Sequence, residues 1–227
     1  MSRQVGALLF DGFELLDVFG PVELWSRLSD RYEVTFCAVE PGPVRSSQGA
    51  AVMVTEDMDA SADHDIVLIP GGMGTRPLVD DRSFLTRLRG WATPASIISA
   101  VCTGSALLAA AGLLEGYRTT SNKRAFTWAS SHGRDVRWEP RARWVHDRDR
   151  RTSSGVAAGM DMTVAPIAHL EGKETAERVL REVELEVQTD TGRDPFTFTD
   201  DPAPLAKLLI VVAVSYTHLT LPTILLV

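Results

Sequence analysis

Apolar and polar residues recur along this chain in two rhythms. Short continuous apolar runs occur at 4–10 (QVGALLF), 65–69 (DIVLI) and 95–101 (ASIISAV). They are too short for helices and read as buried strands. Turn chemistry closes each one: Asp11-Gly12, then Pro70-Gly71-Gly72, then Cys102 with Gly104 just beyond. The run 32–39 (YEVTFCAV) is a further strand, and 43–55 holds one or two short ones. The second rhythm is helical. Phe13, Leu16, Phe19, Leu24 and Leu28 repeat at helix spacing over 13–28, where Gly20-Pro21 is expected to bend or restart the helix.

Further helices are predicted at 81–92, 104–112, 123–131, 156–170 and from 173 to about 188, with Glu171-Gly172 as the last break. Short strands are expected near 118–121, 134–138 and 142–147, and the charged run Asp147–Arg151 is read as a solvated turn. Strands alternating with helices predict an α/β domain with a mostly parallel central sheet covered on both faces.

Composition narrows this picture. The chain has 227 residues, 44% of them hydrophobic, and a formal net charge of −7. That suits one domain with a sizeable core, expected over 1–207. The acidic balance argues against a nucleic-acid surface on this domain. Cys37 and Cys102 are the two cysteines, too few for a disulfide framework or a four-cysteine metal site, so a reducing compartment is the simpler reading. The run Val5–Phe10 is short for a signal peptide, and a cytoplasmic protein with no membrane partner is expected. The stretch Leu208–Val227 is uncharged and mostly apolar, but Tyr216-Thr217-His218 and Pro222 interrupt it. The tract from Ser215 to Thr223 resembles a translated adaptor found at the ends of unrelated assembled sequences. The first reading of 213–227 is therefore a non-native tail outside the fold, the alternatives being a genuine final apolar element and, last, a membrane anchor.

The chemistry concentrates at Ala100-Val101-Cys102-Thr103-Gly104-Ser105, which ends a buried strand and opens a helix. A nucleophile at such a turn projects above the carboxyl edge of the sheet, where open α/β folds place their ligands. The following helix offers free N–H groups and a positive end, so the thiol pKa is expected to fall. The competing reading, a buried structural cysteine, lacks this strand–turn–helix context. Gly71-Gly72 ends a neighbouring strand and could aim backbone N–H groups at charge developing on a molecule bound to Cys102. Asp17 sits among Leu15, Leu16, Val18 and Phe19. A carboxyl there, unless it lies on the exposed helix face, is costly when charged and could hold a proton as general acid or base. Glu14 and Glu23 are weaker versions of the same idea. The five histidines and Cys37 read as surface or core residues. No phosphate loop or metal cluster stands out.

With these residues on the page, the chain resembles the ThiJ/PfpI superfamily, also called the DJ-one superfamily. The resemblance is carried by Leu8–Glu23 (LLFDGFELLDVFGPVE), Leu68–Gly72 (LIPGG), Ala100–Leu114 (AVCTGSALLAAAGLL), Ser153–Asp161 (SSGVAAGMD) and Arg193–Phe196 (RDPF). It implies a flavodoxin-like three-layer sandwich of the class I glutamine amidotransferase-like kind, a homodimer, and a site at the cysteine elbow. The Asp17, Gly20-Pro21 and Glu23 pattern resembles the isonitrile hydratase-like branch, which implies Asp17 as the acid, Cys102 as the nucleophile and Thr103 beside it. One position departs: where many relatives carry histidine, this chain has Asn122. Asparagine cannot act as a base, so a Cys–His pair is not expected, and Asn122 is placed with Gly71 and Gly72 among oxyanion or substrate-binding residues. The implied activity is cofactor-free addition of water to an isonitrile, a small-molecule substrate. Glyoxalase-like chemistry on 2-oxoaldehydes and a ligand- or redox-sensing domain of a transcriptional regulator are the alternatives.

Overall fold

The computed structural model describes residues 2–59 and 63–197. The tail reading over 213–227 lies outside the described residues. The chain forms β1 (Arg3–Leu8), α1 (Leu15–Ser26), β2 (Tyr32–Ala38), the hairpin β3 (Gly42–Arg45) and β4 (Ala51–Val54), then β5 (Glu56–Asp57) and β6 (Ile66–Ile69). It continues with α2 (Thr75–Leu78), α3 (Arg82–Ala92), β7 (Ile97–Ala100), α4 (Gly104–Ala110), β8 (Arg118–Thr119) and α5 (Phe126–Ala129). It closes with β9 (Arg137–Trp138), β10 (Trp144–Asp147), β11 (Arg150–Ser153), α6 (Ala158–Glu171) and α7 (Lys173–Glu182).

Seven strands form one sheet in the order β10-β11-β7-β6-β1-β2-β5. Every pairing is parallel except the β10–β11 hairpin. Helix α1 packs on α6 and α6 on α7, while α2 and α3 pack with α4, so the helices fall in two groups. This is the α/β sandwich with a mostly parallel sheet that the strand–helix alternation predicts. The inner strands β6 and β7 are buried along their whole length, which is why they read as unbroken apolar runs. Helix α3 begins where expected because the Asp81 carboxylate accepts from the Ser83 and Phe84 amides, capping orphan donors.

Of the bend or restart expected at Gly20-Pro21, the restart does not occur: α1 runs unbroken through Pro21. Proline forfeits one helical bond there, but both residues are buried, and Gly20 lies so close to Met160 of α6 that a Cβ would stand 2.8 Å from its Cγ. The solvated turn at Asp147–Arg151 shrinks to a tight turn about Arg148, at φ 56, and Arg150 and Arg151 enter strand β11 with Arg151 buried. Helix α7 stops at Glu182, short of 188, because Glu184 adopts φ 51. Among the described residues no helix is long and apolar enough to cross a membrane.

Candidate active site

Strands β6 and β7 run side by side in parallel, so the turns after them meet at one edge of the sheet. Cys102 occupies its turn at φ 58, a left-handed conformation that costs a non-glycine residue roughly 1–2 kcal/mol. Four bonds hold it there. Its amide donates to the carbonyls of Ser153 (3.2 Å) and Ser154 (3.0 Å) at the end of β11. Its own carbonyl accepts from Ser105 Oγ at 3.0 Å and Ser121 Oγ at 2.9 Å. Backbone strain persists where surroundings over-determine it, and here three separate segments do so.

The facing turn fits only as glycine. A Cβ on Gly71 would stand 2.6 Å from Thr103 N and Oγ1 and 2.9 Å from Cys102 Cβ. Gly72, at φ 121, would drive a Cβ into the Gly12 carbonyl. The amides of both are already engaged: Gly71 N–H donates to Asp17 Oδ2 at 2.9 Å, and Gly72 N–H donates to Thr103 Oγ1 at 3.1 Å. In this geometry they position the acid and the threonine and are not free oxyanion donors. Thr75 Oγ1 adds a bond to Thr103 Oγ1 at 3.2 Å, fastening α2 to the elbow.

Asp17 lies in the first turn of α1, fully buried. Burial pushes its pKa up to about 7; the Gly71 amide opposes this, and the charge of Glu14 adds to it. Its Oδ1 has no hydrogen-bond partner among the described residues. The nearby Cys102 side chain acts on the Asp17 pKa too, in the lowering direction. Cys102 as a residue is 7% exposed. The expected fall in its pKa does not occur: burial pushes it up, the Asp17 charge pushes it further, and the Thr103 amide and hydroxyl act the other way. Helix α4 has only seven residues and its favourable end cannot offset that desolvation. Thiol and carboxyl thus form a coupled pair that keeps one proton between them above the first titration.

Asn122 stands apart. Its Oδ1 accepts from the Ala125 amide at 3.1 Å, and it lines a cavity of about 300 Å³ with Lys123, Arg143, Ser154 and Asp194. Among the described residues no hydrogen bond joins it to the thiol. Glu23 lies outside the cluster, whereas Glu14 is tied to Gln48 Nε2 at 2.6 Å and its charge reaches both Asp17 and Cys102. His64, in a loop, takes the core reading: it is buried, edge-on to Trp91. Sequence reading missed Ser121, Ser154, Thr75 and Arg76. Ser154 was visible in the SSG motif, but only the β11–β7 pairing brings it to the elbow. Arg76 carried no signal. Among the described residues no three potential ligands converge as a metal site.

Comparison with known proteins places the fold in a family. Residues 3–169 match the model of the DJ-1/PfpI family. An isonitrile hydratase from Pseudomonas putida is 33% identical over 184 residues, which is 81% of this chain and 79% of the relative. The HTH-type transcriptional regulator GbdR of Pseudomonas aeruginosa is 32% identical over 177 residues, 76% of this chain but only 48% of the regulator. A crystal structure of a ThiJ/PfpI family protein from Pseudomonas syringae superposes with a TM-score of 0.74 at 27% identity, covering 96% of this chain and 88% of that one.

Proposed function

The chain belongs to the DJ-1/PfpI family, and from that premise we propose that it is a cysteine-dependent hydratase that adds water to an isonitrile without a cofactor. The observation that supports this most directly is the buried Asp17 carboxyl, held by Gly71 against the Cys102 thiol. The likeness to the Pseudomonas putida isonitrile hydratase supplies the substrate class.

In the singly protonated pair, one tautomer is a thiolate beside a carboxylic acid. The thiolate attacks the isonitrile carbon, and Asp17 gives its proton to that carbon, forming a thioimidate in which carbon is bonded to sulfur and doubly bonded to nitrogen. Asp17, now charged, takes one proton from a water whose oxygen adds to the same carbon. The second water proton reaches the nitrogen. The carbon–sulfur bond breaks as the carbonyl forms, releasing an N-substituted formamide, the Cys102 thiolate and protonated Asp17. Thr103, whose amide and hydroxyl favour the thiolate, stabilises sulfur at both ends of the cycle. Incubating the protein with an alkyl or aryl isonitrile and following formamide by chromatography tests this. Turnover lost in both Cys102→Ser and Asp17→Asn is expected; wild-type protein that forms no formamide removes the reading.

A second reading is a ligand-sensing domain, which the similarity to GbdR over about half of that regulator favours. In that case small molecules would raise the melting temperature without being consumed.

A further inference from the structure

We propose that Arg76 anchors a carboxylate on the molecule that Cys102 attacks, so that the substrates are small acids carrying the electrophilic carbon a few atoms from the carboxylate. The proposal rests on the cysteine-centred reading above and specifies its substrate class.

Arg76 is the second residue of α2, four residues beyond Gly72. The preceding residue fixes that helix to the elbow, since Thr75 Oγ1 donates to the Gly72 carbonyl at 2.7 Å and reaches Thr103 Oγ1 at 3.2 Å. The Arg76 guanidinium lies over Trp128, its Cζ 3.4 Å from the ring centroid. Trp128 is itself braced edge-on by His132, with centroids 4.9 Å apart. Stacking fixes the plane of the guanidinium and covers one face, but it leaves the N–H edges free for a planar acceptor.

Among the described residues no acceptor takes a hydrogen bond from the Arg76 side chain, and no carboxylate lies within ion-pairing distance of it. Arg76 follows Thr75, whose hydroxyl meets Thr103 next to Cys102, and its charge interacts with that of Cys102. The charges that raise the Cys102 pKa, those of Asp17 and Glu14, are acidic. An oriented, half-buried guanidinium without a counter-charge, beside a nucleophile, matches a carboxylate that would bind it in two parallel hydrogen bonds. Acidic side chains around the thiol would at the same time repel an acid bound the other way round.

The test needs no knowledge of the natural substrate. Iodoacetate and iodoacetamide alkylate a thiol by the same displacement of iodide and differ in a carboxylate against a neutral amide. The rate ratio of iodoacetate to iodoacetamide at Cys102, followed by peptide mass, should fall fivefold or more in Arg76→Met and in Arg76→Gln. If Arg76 served only to favour the thiolate, both reagents would slow together. A change in the ratio of less than fivefold in both variants overturns the proposal. A parallel arm compares isocyanoacetate with its methyl ester: Arg76→Met should raise the ratio of the acid's KM to the ester's about tenfold, and a ratio unchanged within twofold would count against the anchor. If neither isonitrile is turned over, the hydratase reading fails, while the alkylation ratio still decides the anchor.

Discussion

The two cysteines lie at similar depth and in opposite circumstances. Cys37 is in regular strand β2, with 0% exposure and parallel partners Leu8 and Glu56. It has the histidine: its Sγ is 3.9 Å from His64 Nε2. Among the described residues no histidine is bonded to Cys102, which carries instead a left-handed backbone, a buried acid and glycines that let two turns touch. A nearby imidazole would ordinarily be taken as the mark of a reactive thiol. Here the imidazole is buried in the core, and burial lowers its pKa. The thiol with an acid sits at the sheet edge where backbone strain is held in place.

The sharpest break between the two is substitution of each. Cys102→Ser should lower isonitrile turnover at least a thousandfold, whereas Cys37→Ala should leave it within twofold and cost on the order of 1 kcal/mol of stability by denaturant unfolding. Loss of turnover in Cys37→Ala with an intact fold would erase the contrast. Asp17→Asn comes next, with a loss of about 10²–10⁴ in kcat/KM. In the wild type kcat/KM should rise through about pH 7 and level off, because the first proton leaves the pair there; the variant should lack that step.

The same group carries a stability signature. Its folded pKa of about 7 lies above its usual 3.8, so the folded state binds the extra proton between them. Stability should therefore fall as pH rises from about 4 to 7, and Asp17→Asn should flatten that slope and stabilise the protein at pH 8 by about 2 kcal/mol. Gly71→Ala follows, since its Cβ would press on Thr103 and Cys102; a tenfold or greater loss of kcat/KM is expected. The smallest effect should come from His64→Leu, with turnover within twofold despite its proximity to Cys37.

Much of this was legible along the chain, and the exceptions are physical. The inner strands announce themselves because both faces are buried, and the turns after them are spelled in glycine, proline and cysteine. Asp17 stood out because a carboxylate among leucines and valines needs a reason. Strand β11 did not, because Arg150-Arg151-Thr152-Ser153 has neither an apolar run nor an alternation; Arg151 is taken into the interior although its Nε and Nη1 find no partner among the described residues. The direction of the Cys102 pKa shift was also hidden. A sequence shows that a helix follows the cysteine, but not that its thiol would be enclosed and set against a second acid. The Gly71 and Gly72 amides look like open donors until Asp17 and Thr103 are seen to occupy them. Arg76 depends on stacking against a tryptophan from another helix, which no local pattern records.

The central claim is that Asp17 and Cys102 titrate as one unit. The most direct measurement is the rate of Cys102 alkylation by iodoacetamide as a function of pH, in wild type and in Asp17→Asn. A step near pH 7 followed by a plateau in the wild type, replaced in the variant by a rise displaced to alkaline pH, is the predicted result. Identical profiles in the two proteins, each inflecting near the ~8.5 of a free thiol, would contradict it.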